Sequence, residues 1–398
     1  YQAEAKDAVF HVALNPVNEG SPGAPIRFQS ATGARDCIRI VPRPGTGPGG
    51  SVIGSVNRDH IQWSGFDLRE ADWGWVAGSG YQNGLVLFQG DPAIVGGVIE
   101  DSALTGTAAA DRSGDNYTGL RIHGASATIR NNSISTFGTL GHNNSCSTWY
   151  FGQSMLAEHN QLTGCGAGFY VKNNSGLSAG ATQHIIRYNR IEPNTVGIYL
   201  FENTNGTAQK PVLVYQNIIK GGASTCIQAL WIGTAQDAQH GKVFNNTCVG
   251  QSEECFRIGG SPAPAASFEF WNNICVGQDT MVLGTAGAKA DDLVASKVLW
   301  EHNLYFGFRT FANWAGIGTI DQRRWQSTHG QDRTSPAGVD RDPRFVAAGA
   351  DDFHLAPGSP ATTLGRAKFG IGGPDGTTIA AGAYVSGREV IGREPRPR

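Results

Sequence analysis

The sequence predicts an all-β chain wound as a right-handed parallel β-helix, about nine turns of 27–30 residues followed by an irregular C-terminal cap. Three observations predict it: one phrase recurring at near-constant spacing, period-two alternation around that phrase, and 55 glycines in 398 residues.

The phrase reads apolar, any, any, Asn, any, apolar. It runs Ile129 to Ile134, Ala157 to Leu162, Ile186 to Ile191, Val214 to Ile219, Val243 to Cys248, Phe270 to Cys275 and Trp300 to Tyr305. Its asparagines (Asn132, Asn160, Asn189, Asn217, Asn246, Asn273, Asn303) lie 28, 29, 28, 29, 27 and 30 residues apart. Upstream, Ile99 to Leu104 keeps the frame with Ser102 in the Asn position, and Trp63 to Leu68 is a looser match. Around the phrase apolar residues alternate: Val212/Val214 and Phe268/Phe270 point one way, Leu213/Tyr215 and Glu269/Trp271 the other. That is the period of a strand, not the three-and-four spacing of a helix. A second strand precedes the phrase in most repeats, at Leu120–Ile122, Phe169–Val171, Ile198–Leu200 and Phe256–Ile258. The Asn is expected at the bend between strands, in the left-handed backbone region, with its amide bonded to the copies above and below. The glycines fall largely at the same bends. Residues 1–305 therefore read as the β-helix, most regular over 99–305. Residues 306–398 lose the phrase and read as a cap packed on the helix.

Composition narrows the function classes. Lys plus Arg (31) nearly balance Asp plus Glu (33), which argues against nucleic acid as a partner. No apolar run approaches the roughly 20 residues of a membrane span. No P-loop, zinc pattern or Ser/His/Asp set occurs, and carboxylates are thinly scattered, which disfavours glycoside hydrolysis. The chain opens at Tyr1, which reads as a trimmed end inside a first turn. An uncapped end of that kind would invite head-to-tail self-association. Low lysine and abundant Asn, Ser, Thr and Gly fit a secreted or cell-surface protein.

Phasing converts the repeats into surface columns. Residues two before each Asn give Arg130, Glu158, Arg187, Tyr215, Phe244, Trp271 and Glu301. The first three read as an ion-pair ladder. Tyr215, Phe244 and Trp271 read either as a stripe that binds sugar or protein, or as a surface covered by a loop or by the C-terminal segment. The preceding strands give Arg121 and His123, Tyr170 and Lys172, Tyr199 and Phe201, and Arg257. Mixed cations and aromatic rings suit an anionic polysaccharide, since rings stack on sugar faces and cations pair with carboxylates. Cys248 and Cys275 are expected in the core as small apolar residues. Cys226 and Cys255 are expected to stack one turn apart within bonding reach, and Cys146 and Cys165 form the next plausible pair.

The residues also carry a resemblance. Gly20 to Phe28, His60 to Phe66, Asp342 to Phe345, Asp352 to Leu355, Pro357 to Pro360 and Gly382 to Tyr384 resemble segments of β-helix polysaccharide lyases of the chondroitinase B and alginate lyase type. Tyr170 to Gly176 resembles their lysine-bearing strand. The resemblance implies Lys172 as the base that removes the sugar C5 proton. It implies an arginine on an adjacent turn against the uronate carboxylate, with calcium as a possible accessory. The turn that should carry this arginine has Ile198 to Glu202, so Arg187, Arg257 or Arg121 would have to supply it. The catalytic candidates are accordingly Lys172, Tyr170, Arg187 and His123. Arg121, Tyr199, Phe201, Glu202, Arg257, Tyr215, Phe244 and Trp271 are candidates for substrate binding. The expected activity is β-elimination on an acidic polysaccharide. The other open readings are a non-catalytic structural or adhesive β-helix, such as a filament subunit or phage-type fibre, and lectin-like binding without turnover.

Overall fold

The structure is a computed structural model. It describes residues 9–10, 14–40, 51–73, 84–107, 117–138, 145–150, 154–172, 183–201, 211–230, 240–259, 267–277, 279–284, 298–336 and 341–394. These group into two compact units, residues 1–185, 191–199 and 392–398 in the first, and 186–190 and 200–391 in the second. Each unit is a parallel β-solenoid.

A turn uses three strands rather than two. In the second unit they are Val212–Tyr215 before the Asn, Ile218–Lys220 after it, and Thr225–Leu230. The next turn repeats them in register as His240–Phe244, Thr247–Val249 and Glu254–Gly259. The short strands after the Asn pair parallel in both units. In the first they run Val9–Phe10, Ile38–Ile40, Phe66–Arg69, Ala103–Thr105, Ser133–Ser135 and Gln161–Thr163. In the second they run Ile218–Lys220, Thr247–Val249, Ile274–Val276 and Leu304–Phe306. Register places like residues over like, so the interior is columnar. Phe270 stacks on Trp300 with centroids 4.8 Å apart, which is the strand spacing itself.

The Asn ladder is present, with one correction to its expected backbone. The left-handed conformation falls on the residue before the ladder Asn: Asp101, Asn131, His159, Tyr188, Gln216, Asn245, Asn272 and His302 all have φ between 50° and 61°. The ladder side chain turns inward instead. Asn217 donates its backbone N–H to Asn246 Oδ1 at 3.1 Å, its Nδ2 to the same oxygen at 3.0 Å, and Nδ2 again to Ile186 C=O at 2.9 Å. An amide that serves the neighbouring turn in this way must leave from the strand side of the bend, so the tight φ passes to its predecessor.

The ladder ends on an acid that the repeat does not announce. Asp332 Oδ1 accepts from Asn303 Nδ2 at 2.9 Å and from Ser335 Oγ at 2.6 Å. Its Oδ2 accepts from Tyr305 at 2.5 Å and from Trp325 Nε1 at 3.2 Å. Burial of the carboxylate raises its pKa to about 6, against the lowering effect of these four donors. Strand Thr310–Trp314 then turns back antiparallel against Gly318–Ile320. The short helix Gln322–Ser327, N-capped by Asp321, seats Trp325 against Trp300. The stack is thus closed by a hairpin and a ring rather than left as an open edge.

Residues 341–391 return along the side of the second unit. Ala361 and Ala381 bury against Ile274 and Leu304, and Phe353 and Ala383 against Ile218. Gly382 N–H bonds Asn272 C=O at 2.7 Å. At φ 87° and with Ile274 Cδ1 only 2.6 Å from where a Cβ would sit, this position requires glycine. In the first unit Arg393 holds Asp36 through both guanidinium nitrogens, at 2.6 and 2.7 Å.

Three disulfides form: Cys146–Cys165, Cys226–Cys248 and Cys255–Cys275. The first is as expected. The pairing of Cys226 with Cys255 is overturned, and Cys248 and Cys275 are core residues but not free ones. Each bridge starts on the third strand of one turn; Cys226 and Cys255 reach the short strand after the Asn of the next turn, and Cys146 reaches Cys165 just past it. Inward side chains meet across a corner more directly than along their own column.

Candidate functional site

Outward residues of the third strands line up in the first unit. Leu87, Arg121, Thr148 and Tyr170 occupy one column, and Gln89, His123, Tyr150 and Lys172 the next. Their chain neighbours Ile122, Trp149 and Val171 point inward and are buried, as strand alternation demands. The first column is largely covered, whereas His123, Tyr150 and Lys172 are half-exposed. Tyr170 stacks on Tyr199 at 5.2 Å and meets Tyr150 edge-on at 6.1 Å. The Arg121 guanidinium lies 5.1 Å from the centre of the Tyr150 ring, and His123 meets that ring edge-on at 6.5 Å.

Electrostatics differentiate these groups. Burial, then the positive charge of Arg121, hold the His123 pKa below its ordinary value, so the imidazole is neutral at pH 7. Burial also lowers Arg121, which remains a cation as any arginine does.

Just beyond His123 the chain bends at Gly124, at φ 61°, where a Cβ would meet Gly90 C=O at 2.5 Å. After the bend, small residues make a trough of about 300 Å³ lined by Gly97, Ser126, Thr128, Ser154, Leu156 and Gln183. A trough of mixed lining, with Met155 and Ile185 beside the hydroxyls, next to a column of imidazole, phenol and ammonium is suited to an extended ligand with polar and apolar faces.

The structure thus brings together Arg121, His123, Tyr170, Lys172 and Tyr199. It adds Tyr150, which lies between His123 and Lys172 and which the Asn phrase does not expose. The 28-residue spacing from Asn132 to Asn160 was the available signal, since that turn needs a third strand, and it is Ser145–Tyr150. Glu202 and the Phe201 side chain lie outside the described residues.

The remaining candidates sit in the second unit in a different setting. Tyr215 stacks on Phe244 at 4.8 Å and both are buried. Phe369 covers Phe244 at 5.1 Å, and Lys368 Nζ lies 3.6 Å over Trp271. Of the two readings of this stripe, cover by the C-terminal segment is the one observed, and it leaves Tyr215 and Phe244 no open ring face. Arg187 donates to the Tyr215 hydroxyl at 2.8 Å. Arg257 is held by Glu253 and Glu254, each at 2.7 Å. In the charged column, Arg130 pairs with Glu100 one turn back at 2.6 Å.

Among the described residues, the one cluster of metal-ligand types is Cys248, Cys255 and Cys275, whose sulfurs are committed to disulfides. Calcium takes six to eight oxygens, and among the described residues no such convergence of carboxylates occurs at the columns. No step is assigned to that ion.

The sequence profile of the right handed beta helix region matches residues 78–247. That stretch contains the columns and the trough, and the fold of the chain is a right-handed parallel β-helix. A comparison with curated proteins finds no match. No helix among the described residues is long and apolar enough to cross a membrane.

Proposed function

We propose that the chain is a secreted carbohydrate-active protein that binds an acidic polysaccharide along the first unit and cleaves it by β-elimination. The observation that carries this reading is the column His123, Tyr150, Lys172 beside Arg121. It sets a neutral base, a hydroxyl acid and two cations on consecutive turns about 4.8 Å apart.

Elimination from a uronate needs these roles. A cation against the carboxylate acidifies C5; half-exposed Lys172 supplies it, and covered Arg121 beside Tyr150 adds to the positive field. The His123 imidazole takes the C5 proton, the electron pair forms the C4–C5 double bond, and the C4–O4 bond breaks. The Tyr150 hydroxyl protonates the departing O4. Lys172 is the base that the family resemblance implies, while the lowered pKa of His123 favours the imidazole for work at neutral pH. Three disulfides support an oxidising compartment.

The test is the ultraviolet absorbance of unsaturated products on alginate, pectate and glycosaminoglycans. Tyr150→Phe and His123→Ala are each expected to slow turnover by about 100-fold or more. Activity confined to alkaline pH, lost in Lys172→Ala and kept in His123→Ala, would transfer the base role to Lys172. Absence of absorbing product on every substrate, with binding intact, would leave the lectin-like reading.

A further inference from the structure

A second cavity lies in the second unit, where the stack is closed. It measures about 660 Å³, within the usual range for small-ligand sites. Phe308 and Phe311 give it an apolar floor, Thr310 and Thr319 add hydroxyls, and Arg309 and Arg323 stand on its wall. The Arg309 side chain is 82% exposed, and its nearest carboxylate, Asp279, is 3.8 Å away and itself 54% exposed. Arg323 makes no ion pair among the described residues. Asp321, the one acid on the wall, spends Oδ1 on capping the helix through Arg324 N–H. Two arginines, each with a planar fork of donors, therefore stand on the wall of a cavity lined by Phe308 and Phe311. That combination recognises a carboxylate on a ring.

We infer that this cavity is a second, non-catalytic sugar-binding site, taking a short uronate segment with its carboxylates on Arg309 and Arg323 against the cavity's apolar lining. It rests on no residue of the first unit. Its ligand class is that of the proposed substrate, and to that extent it rests on the proposed function.

Calorimetric titration of the full chain with tetragalacturonate, alongside neutral cellotetraose, tests it. The expected result is two-site binding of the acidic oligomer and none of the neutral one. Arg309→Ala with Arg323→Ala is expected to weaken one site about tenfold or more while the other, and any turnover, stays unchanged. Tyr150→Ala with Lys172→Ala is expected to leave the cavity's site intact. If the column variant abolishes all binding, this inference falls and the proposed function stands. If the cavity variant abolishes all binding, the reverse holds. Equal binding of cellotetraose overturns the carboxylate assignment. A dimer in sedimentation that Arg309→Glu breaks would assign the cavity to a second copy of the chain and overturn the inference.

Discussion

Asn272 and Arg366 exchange two hydrogen bonds: Asn272 Oδ1 accepts the Arg366 backbone N–H at 3.0 Å, and Asn272 Nδ2 donates to Arg366 C=O at 2.8 Å. Asn272 is the left-handed residue next to ladder Asn273, so this bend carries an inward reader of the neighbouring turn and an outward anchor. Asn245 holds Ala380 C=O at 3.1 Å, and Gln216 holds Ala383 C=O at 3.3 Å. In the first unit Asn131 Oδ1 accepts the Glu394 N–H at 2.8 Å. Asn131, Gln216, Asn245 and Asn272, each one residue before a ladder Asn, thus anchor the C-terminal segment within their own units.

Asn272→Ala should cost about 2–3 kcal/mol, from three lost hydrogen bonds, two to Arg366 and one to Asn245, and from alanine's poorer tolerance of positive φ. Asn272→Gly restores the backbone freedom and should recover about 1 kcal/mol of that. Urea denaturation of both variants separates the anchor from the bend, and equal losses would show that the φ constraint contributes nothing.

Asn246→Ala leaves the backbone N–H and Nδ2 of Asn217 without their shared acceptor, inside a sealed bend. A loss of about 1–3 kcal/mol is expected, chiefly from the orphaned N–H, since Nδ2 keeps Ile186 C=O and Tyr215 C=O. Amide exchange at Asn217 should accelerate ahead of the rest of the chain. Uniform exchange across the turns would argue that the ladder carries no local stability.

His184 is buried beside Trp149, with neither ring nitrogen hydrogen-bonded, and burial lowers its pKa from 6.5 to about 4. Its unfolded form takes a proton first. The stability tied to the neutral ring is therefore complete above pH 6.5 and is lost as pH falls towards 4, roughly 3 kcal/mol in all. His184→Leu should flatten that limb of the stability curve measured by denaturation. An unchanged slope would place the acid sensitivity elsewhere.

Asp332 runs the opposite way. Its pKa is raised from 3.8 to about 6, so the folded state holds its proton longer than the unfolded one. That stability is complete below pH 3.8 and is lost as pH rises through 6. Asp332→Asn should remove this dependence but set an amide against the donors Tyr305 and Trp325, at a cost of about 1–3 kcal/mol. Trp325 fluorescence follows the transition, and an unaltered pH dependence in the variant would exclude Asp332.

Peptide mapping without reduction should recover Cys146–Cys165, Cys226–Cys248 and Cys255–Cys275, with Cys37 as the thiol that alkylates after unfolding. Each bridge closes a loop of about 20 residues, so its reduction should cost about 3 kcal/mol. Recovery of a Cys226–Cys255 peptide would contradict the strand-to-strand arrangement.

Period and alternation were enough to read the β-helix, the strand faces, the ladder from Asn132 to Asn303 and the outward column from Arg130 to Glu301, because parallel stacking turns sequence phase directly into position. The same logic placed His123 beside Arg121, and Lys172 beside Tyr170. It could not place Tyr150, whose strand lacks the phrase, nor Asp332, which ends the ladder without repeating it. Nor could phase tell that Phe369 lies over Phe244, that Glu254 holds Arg257, or that Cys226 reaches Cys248 rather than Cys255. Those outcomes depend on contacts across a corner or between segments far apart in the chain, where spacing carries no information and packing alone selects the partner.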